Sequence, residues 1–174
     1  APAAGAAVLP FRRISRSERS AGMAAVPLVD LRFAAGAFGE WQTLDADWDE
    51  WVELPEPLQA RPGYFVAQVV GESMNRRIPN GAWCLFRLDP QGTRQGRVVV
   101  AECRGVSDPD TGGRYTVKVY TSSKVADEDG SWRHTRIELR PDSTDPRFQP
   151  IVIVGAEEGE FRVVAELVAI IGPM

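Results

Sequence analysis

The chain has 174 residues, 44% of them hydrophobic, enough for one domain to bury roughly two-thirds of its unfolded surface without disulfide or metal staples. Lys and Arg total 20 against 24 Asp and Glu, a net charge of -4, which excludes nucleic-acid binding through overall charge because phosphate neutralisation needs clustered cations. No apolar run approaches the roughly 18 residues of a membrane-spanning helix, and APAAGAAVLP lacks the basic start and long apolar region of a signal peptide.

A soluble, cytoplasmic protein without direct nucleic-acid or membrane binding is therefore expected. Its first residue is Ala rather than Met, as in a processed form or a part of a longer chain. Residues 1–25 are rich in Ala, Arg, Ser and Gly without steady periodicity, which predicts an arm or linker. The arginine-rich FRRISRSER, Phe11 to Arg19, is read as solvated linker. After Val26 come VPLVDLRF and the small, flexible AAGAFG, which a surface would leave accessible. In EWQTLDADWDEWVEL, Glu40 to Leu54, the residues Trp41, Leu44, Trp48 and Trp51 recur at helical spacing, predicting an apolar stripe used for core or interface packing, with strand pairs as the alternative at its ends. Pro55, Pro57 and Pro62 then interrupt any regular element.

Beyond them, runs rich in Val, Ile, Phe and Tyr alternate with Gly, Pro, Asn and Asp. They predict strands at Tyr64–Val70, Ala82–Leu88, Arg97–Cys103, Arg114–Tyr120, Thr135–Leu139, Ile151–Val154 and Phe161–Ile170. Such a series makes the chain mainly β, a curled sheet or incomplete barrel. RGVSDPDTGG, Arg104 to Gly113, and VADEDGS, Val125 to Ser131, read as longer hairpin loops. Cys84 and Cys103 sit in apolar runs without a nearby CxxC partner, so buried free thiols in a reducing compartment are expected. Neither a metal site nor a cofactor is indicated. His134 is the single histidine, so a Ser-His-Asp triad has one possible base.

Ser73, in VGESMNRRIPNG, follows the predicted strand YFVAQVV and the flexible Gly71, placing its hydroxyl where backbone N–H groups come free. A serine hydroxyl is a poor nucleophile at neutral pH and needs a neighbouring base. Lys118 and Lys124 are the only lysines. Lys124 falls in a polar predicted loop, whereas Lys118 lies within the strand RYTVKVY, between Val117 and Val119. Burial there disfavours the ammonium form. Bringing a lysine from about 10.4 to about 7 takes roughly 4–5 kcal/mol, which a folded β core can supply. On its own Lys118 also fits a snorkelling surface lysine.

GESM at Gly71–Met74, then IPNG, RVVVAE, TVKVY and the late LRPDSTDPRFQPIVI resemble the LexA-type serine peptidases, which include the LexA repressor, lambda-type phage repressors and UmuD. The likeness extends over about Val26 to Ile171. It implies the curled, incomplete-barrel fold of the LexA and signal-peptidase type, with residues 51–174 as the Ser-Lys peptidase domain and 26–50 as a cleavage-site region. It further implies Ser73 as nucleophile, Lys118 as general base acting without histidine, and main-chain N–H groups of Glu72 and Ser73 as oxyanion donors. Met74 is expected to pack beneath the loop.

The family cuts its own chain at a small-residue bond about three dozen residues before the serine. Ala35–Gly36 lies 38 residues before Ser73, with Phe38–Gly39 as the weaker alternative. A homodimer, and stimulation by a RecA filament on single-stranded DNA, are the partners implied. Other readings are an idle dimerisation module, or a peptidase domain of a larger chain that cuts another protein. Two departures stand out: PNGAW lacks an acidic residue just after the Gly, and the Arg104–Gly113 loop is longer than usual.

Overall fold

A computed structural model describes residues 11–20, 22–32, 48–88, 90, 92–103, 105, 108, 113–126, 128–154 and 161–172. Its strands are β1 (Arg12–Ser15), β2 (Ala25–Val29), β3 (Glu50–Glu53), β4 (Tyr64–Val69), β5 (Ala82–Leu88), β6 (Val98–Cys103), β7 (Tyr115–Ala126), β8 (Trp132–Arg140), β9 (Ile151–Val154) and β10 (Phe161–Ile170). Among the described residues one short 3-10 turn, Arg16–Glu18, is the only helix. The strands join in the order β1-β3-β2-β4-β5-β10-β6-β7-β8-β9. The sheet is mainly antiparallel and not closed into a barrel, as the strand-rich pattern predicted.

The curl follows from strands buried on both faces. Phe65, Ala67 and Val69 of β4 alternate into one core with Cys84, Phe86 and Leu88 of β5, Val98 and Val100 of β6, and Val117 and Val119 of β7. Val66 of β4 and Leu85 of β5 point the other way, into a second core with Phe11, Val26, Val52 and Ile171. A third core beneath β6 and β8 gathers Val99, Ala101, Ile137 and Leu139. Shifts of register in β10, at Val163/Ala165 against β6 and at Leu167/Ala169 against β5, supply the local bend and extra twist that bulges give a strand.

Two expectations are corrected at the N-terminal side. The stretch read as solvated linker contributes β1, whose Ile14 is buried, as is the preceding Phe11. Its arginines do face solvent, Arg13 pairing with Glu50 at 2.8 Å and lying 5.4 Å from the Trp83 ring centre. The helical spacing expected through Trp51 gives way at the end of Glu40–Leu54 to the strand pairing allowed there: Glu50–Glu53 is a strand wedged between β1 and β2. Hydrogen bonding on both sides, with Val52 wholly buried between them, outweighs a spacing that favoured a helix. Trp41 and Leu44 lie outside the described residues, while Trp48 packs against the first core as expected.

A third correction concerns β7. The strand continues through Ser122, Ser123 and Lys124, expected as loop, because β8 pairs with it along this length. Cys84 and Cys103 are buried and outside any disulfide, as expected. Burial pushes the Cys84 thiol up to about 12, and burial with Glu102 pushes Cys103 up to about 11.

If β1 belongs to the domain, Ile14→Ala should lower unfolding free energy by about 2–5 kcal/mol, the usual loss for a buried Ile. Urea unfolding measures this. A loss close to zero would return residues 11–15 to the status of an arm.

Candidate active site

β4 delivers the chain to Ser73. At its end Gly71 takes a φ of 112°, open to glycine and rarely to other residues, and the chain turns through Glu72–Arg77. Two buried side chains, Met74 and Ile78, anchor this turn in the first core, so Met74 packs beneath the loop as expected.

The turn is also clamped from the segment after β8. The Asp142 N–H donates to the Ser73 carbonyl at 2.9 Å, and the Arg76 N–H donates to the Asp142 carbonyl at 3.0 Å. Ser143 Oγ donates to the Glu72 carbonyl at 2.7 Å. Asn75 Nδ2 donates to Glu72 at 3.0 Å and to Thr144 at 2.9 Å, and its oxygen accepts the Thr144 N–H at 2.8 Å. Glu72 therefore acts as a clasp, also accepting from Asn80 at 3.1 Å. The main-chain N–H groups of Glu72 and Ser73 find no acceptor among the described residues.

β7 brings Lys118 to the same point. Its Nζ donates to Ser73 Oγ at 2.9 Å, to Thr116 Oγ1 at 2.9 Å and to the Val117 carbonyl at 3.1 Å. Ser73 is 5% exposed and Lys118 2%, so Lys118 does not snorkel to the surface. Asp108, from the loop between β6 and β7, is buried as well and stands 3.6 Å from the amine. It accepts a hydrogen bond from Thr116 Oγ1. The pair opens on a cleft of about 390 Å³ whose walls include Val69, Val70, Val117 and the β2 exit, Leu28–Arg32.

The other candidates fall elsewhere. Lys124 is exposed, six residues beyond Lys118 and therefore roughly 20 Å further along an extended strand. His134 lies opposite Lys124 in the β8 register, away from Ser73. Among the described residues no cluster of three or more His, Cys, Asp or Glu side chains is placed to hold a metal ion, and no helix is long and apolar enough to cross a membrane. Ala35, Gly36, Phe38 and Gly39 lie outside the described residues.

Sequence reasoning assigned no role to Asn75, Asp108, Thr116, Asp142 or Ser143. For Asp142 and Ser143 the signal was present in LRPDSTDPRFQPIVI, already part of the resemblance. Thr116 likewise sits in TVKVY, two residues from the lysine.

A buried serine hydroxyl thus meets a lysine amine at the end of a curled β-sheet. The model of the Peptidase S24-like family matches residues 27–168, and the chain belongs to that family of serine peptidases and self-cleaving regulators. No curated protein matches it.

Removing the Asn75 clamp by Asn75→Ala deletes three hydrogen bonds across the turn. At about 0.5–1.5 kcal/mol for each bond the cost should be at least about 1.5 kcal/mol, the low end of the range applying because all three are exposed to solvent. Denaturant unfolding checks this, and an unchanged midpoint would show that the 141–145 segment does not hold the turn through Asn75.

Proposed function

We infer that the chain is a Ser-Lys peptidase that cuts its own Ala35–Gly36 bond as a regulatory switch. The observation that carries this is the 2.9 Å approach of the Lys118 amine to the Ser73 hydroxyl, both side chains being nearly buried. Once neutral, Lys118 accepts the Ser73 proton while Oγ attacks the Ala35 carbonyl carbon. Charge develops on the carbonyl oxygen, which the Glu72 and Ser73 N–H groups stabilise. Lys118 then gives the proton to the Gly36 amine as the C–N bond breaks, and water hydrolyses the acyl-serine.

The sheet register supports the choice of bond. β2 pairs in parallel with β4, Leu28 opposite Val66 and Val29 opposite Ala67, an offset of 38 residues. Ala35 precedes Ser73 by the same 38 residues. β2 therefore heads toward the end of β4 from which Ser73 leaves, and Arg32 already lines the cleft. Three further residues span at most roughly 10 Å when extended. Such a tether makes the encounter intramolecular, so weak intrinsic affinity is sufficient.

The small residues Ala34, Ala35 and Gly36 suit a bond that must enter a narrow site. The family resemblance adds a homodimer, and a RecA filament on single-stranded DNA as the stimulus.

The rate should rise with pH, because the ammonium form of Lys118 has no lone pair and is inactive. Incubation from neutral to mildly alkaline pH, with and without a RecA filament, should yield fragments ending at Ala35 and beginning at Gly36 by mass spectrometry. Ser73→Ala and Lys118→Ala should each reduce their formation by more than about a thousandfold. A chain that stays whole under every condition would be a dimerisation module that kept the fold. Fragments unaffected by both substitutions would remove Ser73 and Lys118 from the chemistry.

A further inference from the structure

The Lys118 amine has three acceptors within hydrogen-bond distance: Ser73 Oγ, Thr116 Oγ1 and the Val117 carbonyl. Three partners fit an ammonium that donates three times, and equally a neutral amine that donates twice and accepts once. A neutral amine has two N–H donors and a lone pair, and the lone pair must be the partner of Ser73 if serine is to lose its proton. Which form the amine takes is therefore set by the charges around it.

An ammonium 2% exposed is costly without a counter-charge. Asp108 supplies one, with Oδ2 3.6 Å from Nζ. This carboxylate does not come from the strands that build the site but from the Arg104–Gly113 loop, where the Asp108 N–H donates to the Gly113 carbonyl at 2.8 Å. Thr116 Oγ1 ties the two together, donating to Asp108 and accepting from Lys118.

Among the described residues the other charges around the cleft have partners of their own. Arg13 is paired with Glu50 and Arg32 with Asp30, while Glu102 on β6 is paired with Arg162 and Arg114. Tyr115 is held neutral by burial and by Glu102, which together raise its pKa. Glu72 is engaged by Asn75 and Asn80.

We propose that Asp108 is a positioning residue that keeps Lys118 in its ammonium form and so restrains the peptidase at neutral pH. The proposal rests on the Ser-Lys assignment for its consequence, but the ion pair can be tested apart from cleavage. An opposite charge within about 4–6 Å typically shifts a titration by 1–3 units. Replacing Asp108 by a neutral residue would release the base. The sign follows directly: losing the carboxylate lowers the Lys118 pKa, so active amine is present at a lower pH.

The test uses the whole chain labelled with ¹³C at lysine Cε. With Lys118 and Lys124 the only lysines, two side-chain resonances report both titrations, and exposed Lys124 is the internal reference. In a Ser73→Ala background, which keeps the chain whole, Asp108→Asn should lower the Lys118 midpoint by at least about one unit, a tenfold rise in neutral amine at a given pH well below the midpoint. The Lys124 midpoint should not move. Asp108→Ser serves as a second variant should the asparagine chain fold poorly. A Lys118 midpoint that is unchanged or raised overturns the proposal.

With Ser73 restored, the cleavage profile of Asp108→Asn should move to lower pH by the same interval, with its alkaline plateau kept. A lower plateau at an unmoved midpoint would make Asp108 a geometric support and overturn the brake. Absence of cleavage in every variant would instead defeat the self-cleavage reading, while the lysine titration still decides the role of Asp108.

Discussion

The contact between the Lys118 amine and the Ser73 hydroxyl sets the demands that the rest of the sheet meets. An amine can remove a proton from serine only where water does not compete for it and where its own charge is disfavoured. Both conditions require a lysine inside a folded core, which β-sheet cores rarely tolerate without paired polar groups. Here Val117 and Val119 of β7 pack on one side, while Thr116 and the Val117 carbonyl satisfy the amine from its own strand. The partner serine must then be held to within a few tenths of an ångström, although it sits in a turn.

Holding a turn that tightly takes help from distant sequence. Met74 and Ile78 fix it from below through apolar burial, and the segment at Asp142–Thr144 fixes it from the side through main-chain and side-chain hydrogen bonds. β8 makes this possible, since it pairs with β7 and so carries residues 141–145 back over the site that β7 supplies. β2 completes the geometry by lying parallel to β4, so that its exit, Leu28–Arg32, lines the cleft at the serine end of the sheet. The curl, the long β7–β8 hairpin and the lone parallel pairing among the described strands all serve one small volume.

Much of this was legible in the sequence, for identifiable reasons. The strands from β4 onward announce themselves because their inward positions are Val, Ile, Leu or Phe and their ends carry Gly, Pro or Asn. β1 and β3 do not, because each is four residues long with a single buried side chain, Ile14 or Val52. One buried residue carries no period, and only the neighbouring strands reveal what it pairs with. The outer half of β7 was read as loop because Ser122, Ser123 and Lys124 are polar, which an exposed hairpin permits. Ser73 and Lys118 stood out because lysine is scarce and the motif is ordered. Asp108 did not, since an aspartate in SDPDTGG looks like an ordinary turn residue until its carboxylate is found 3.6 Å from the Lys118 amine.

The central claim is that Ser73 is chemically distinct from every other serine because Lys118 stands beside it. Treating the folded chain with a fluorophosphonate at mildly alkaline pH, and locating the adduct by peptide mass spectrometry, measures that property without requiring a substrate. The account predicts modification at Ser73 alone, lost when Lys118 is replaced by Met. Modification spread over several serines, or an adduct at Ser73 that persists in Lys118→Met, would contradict it.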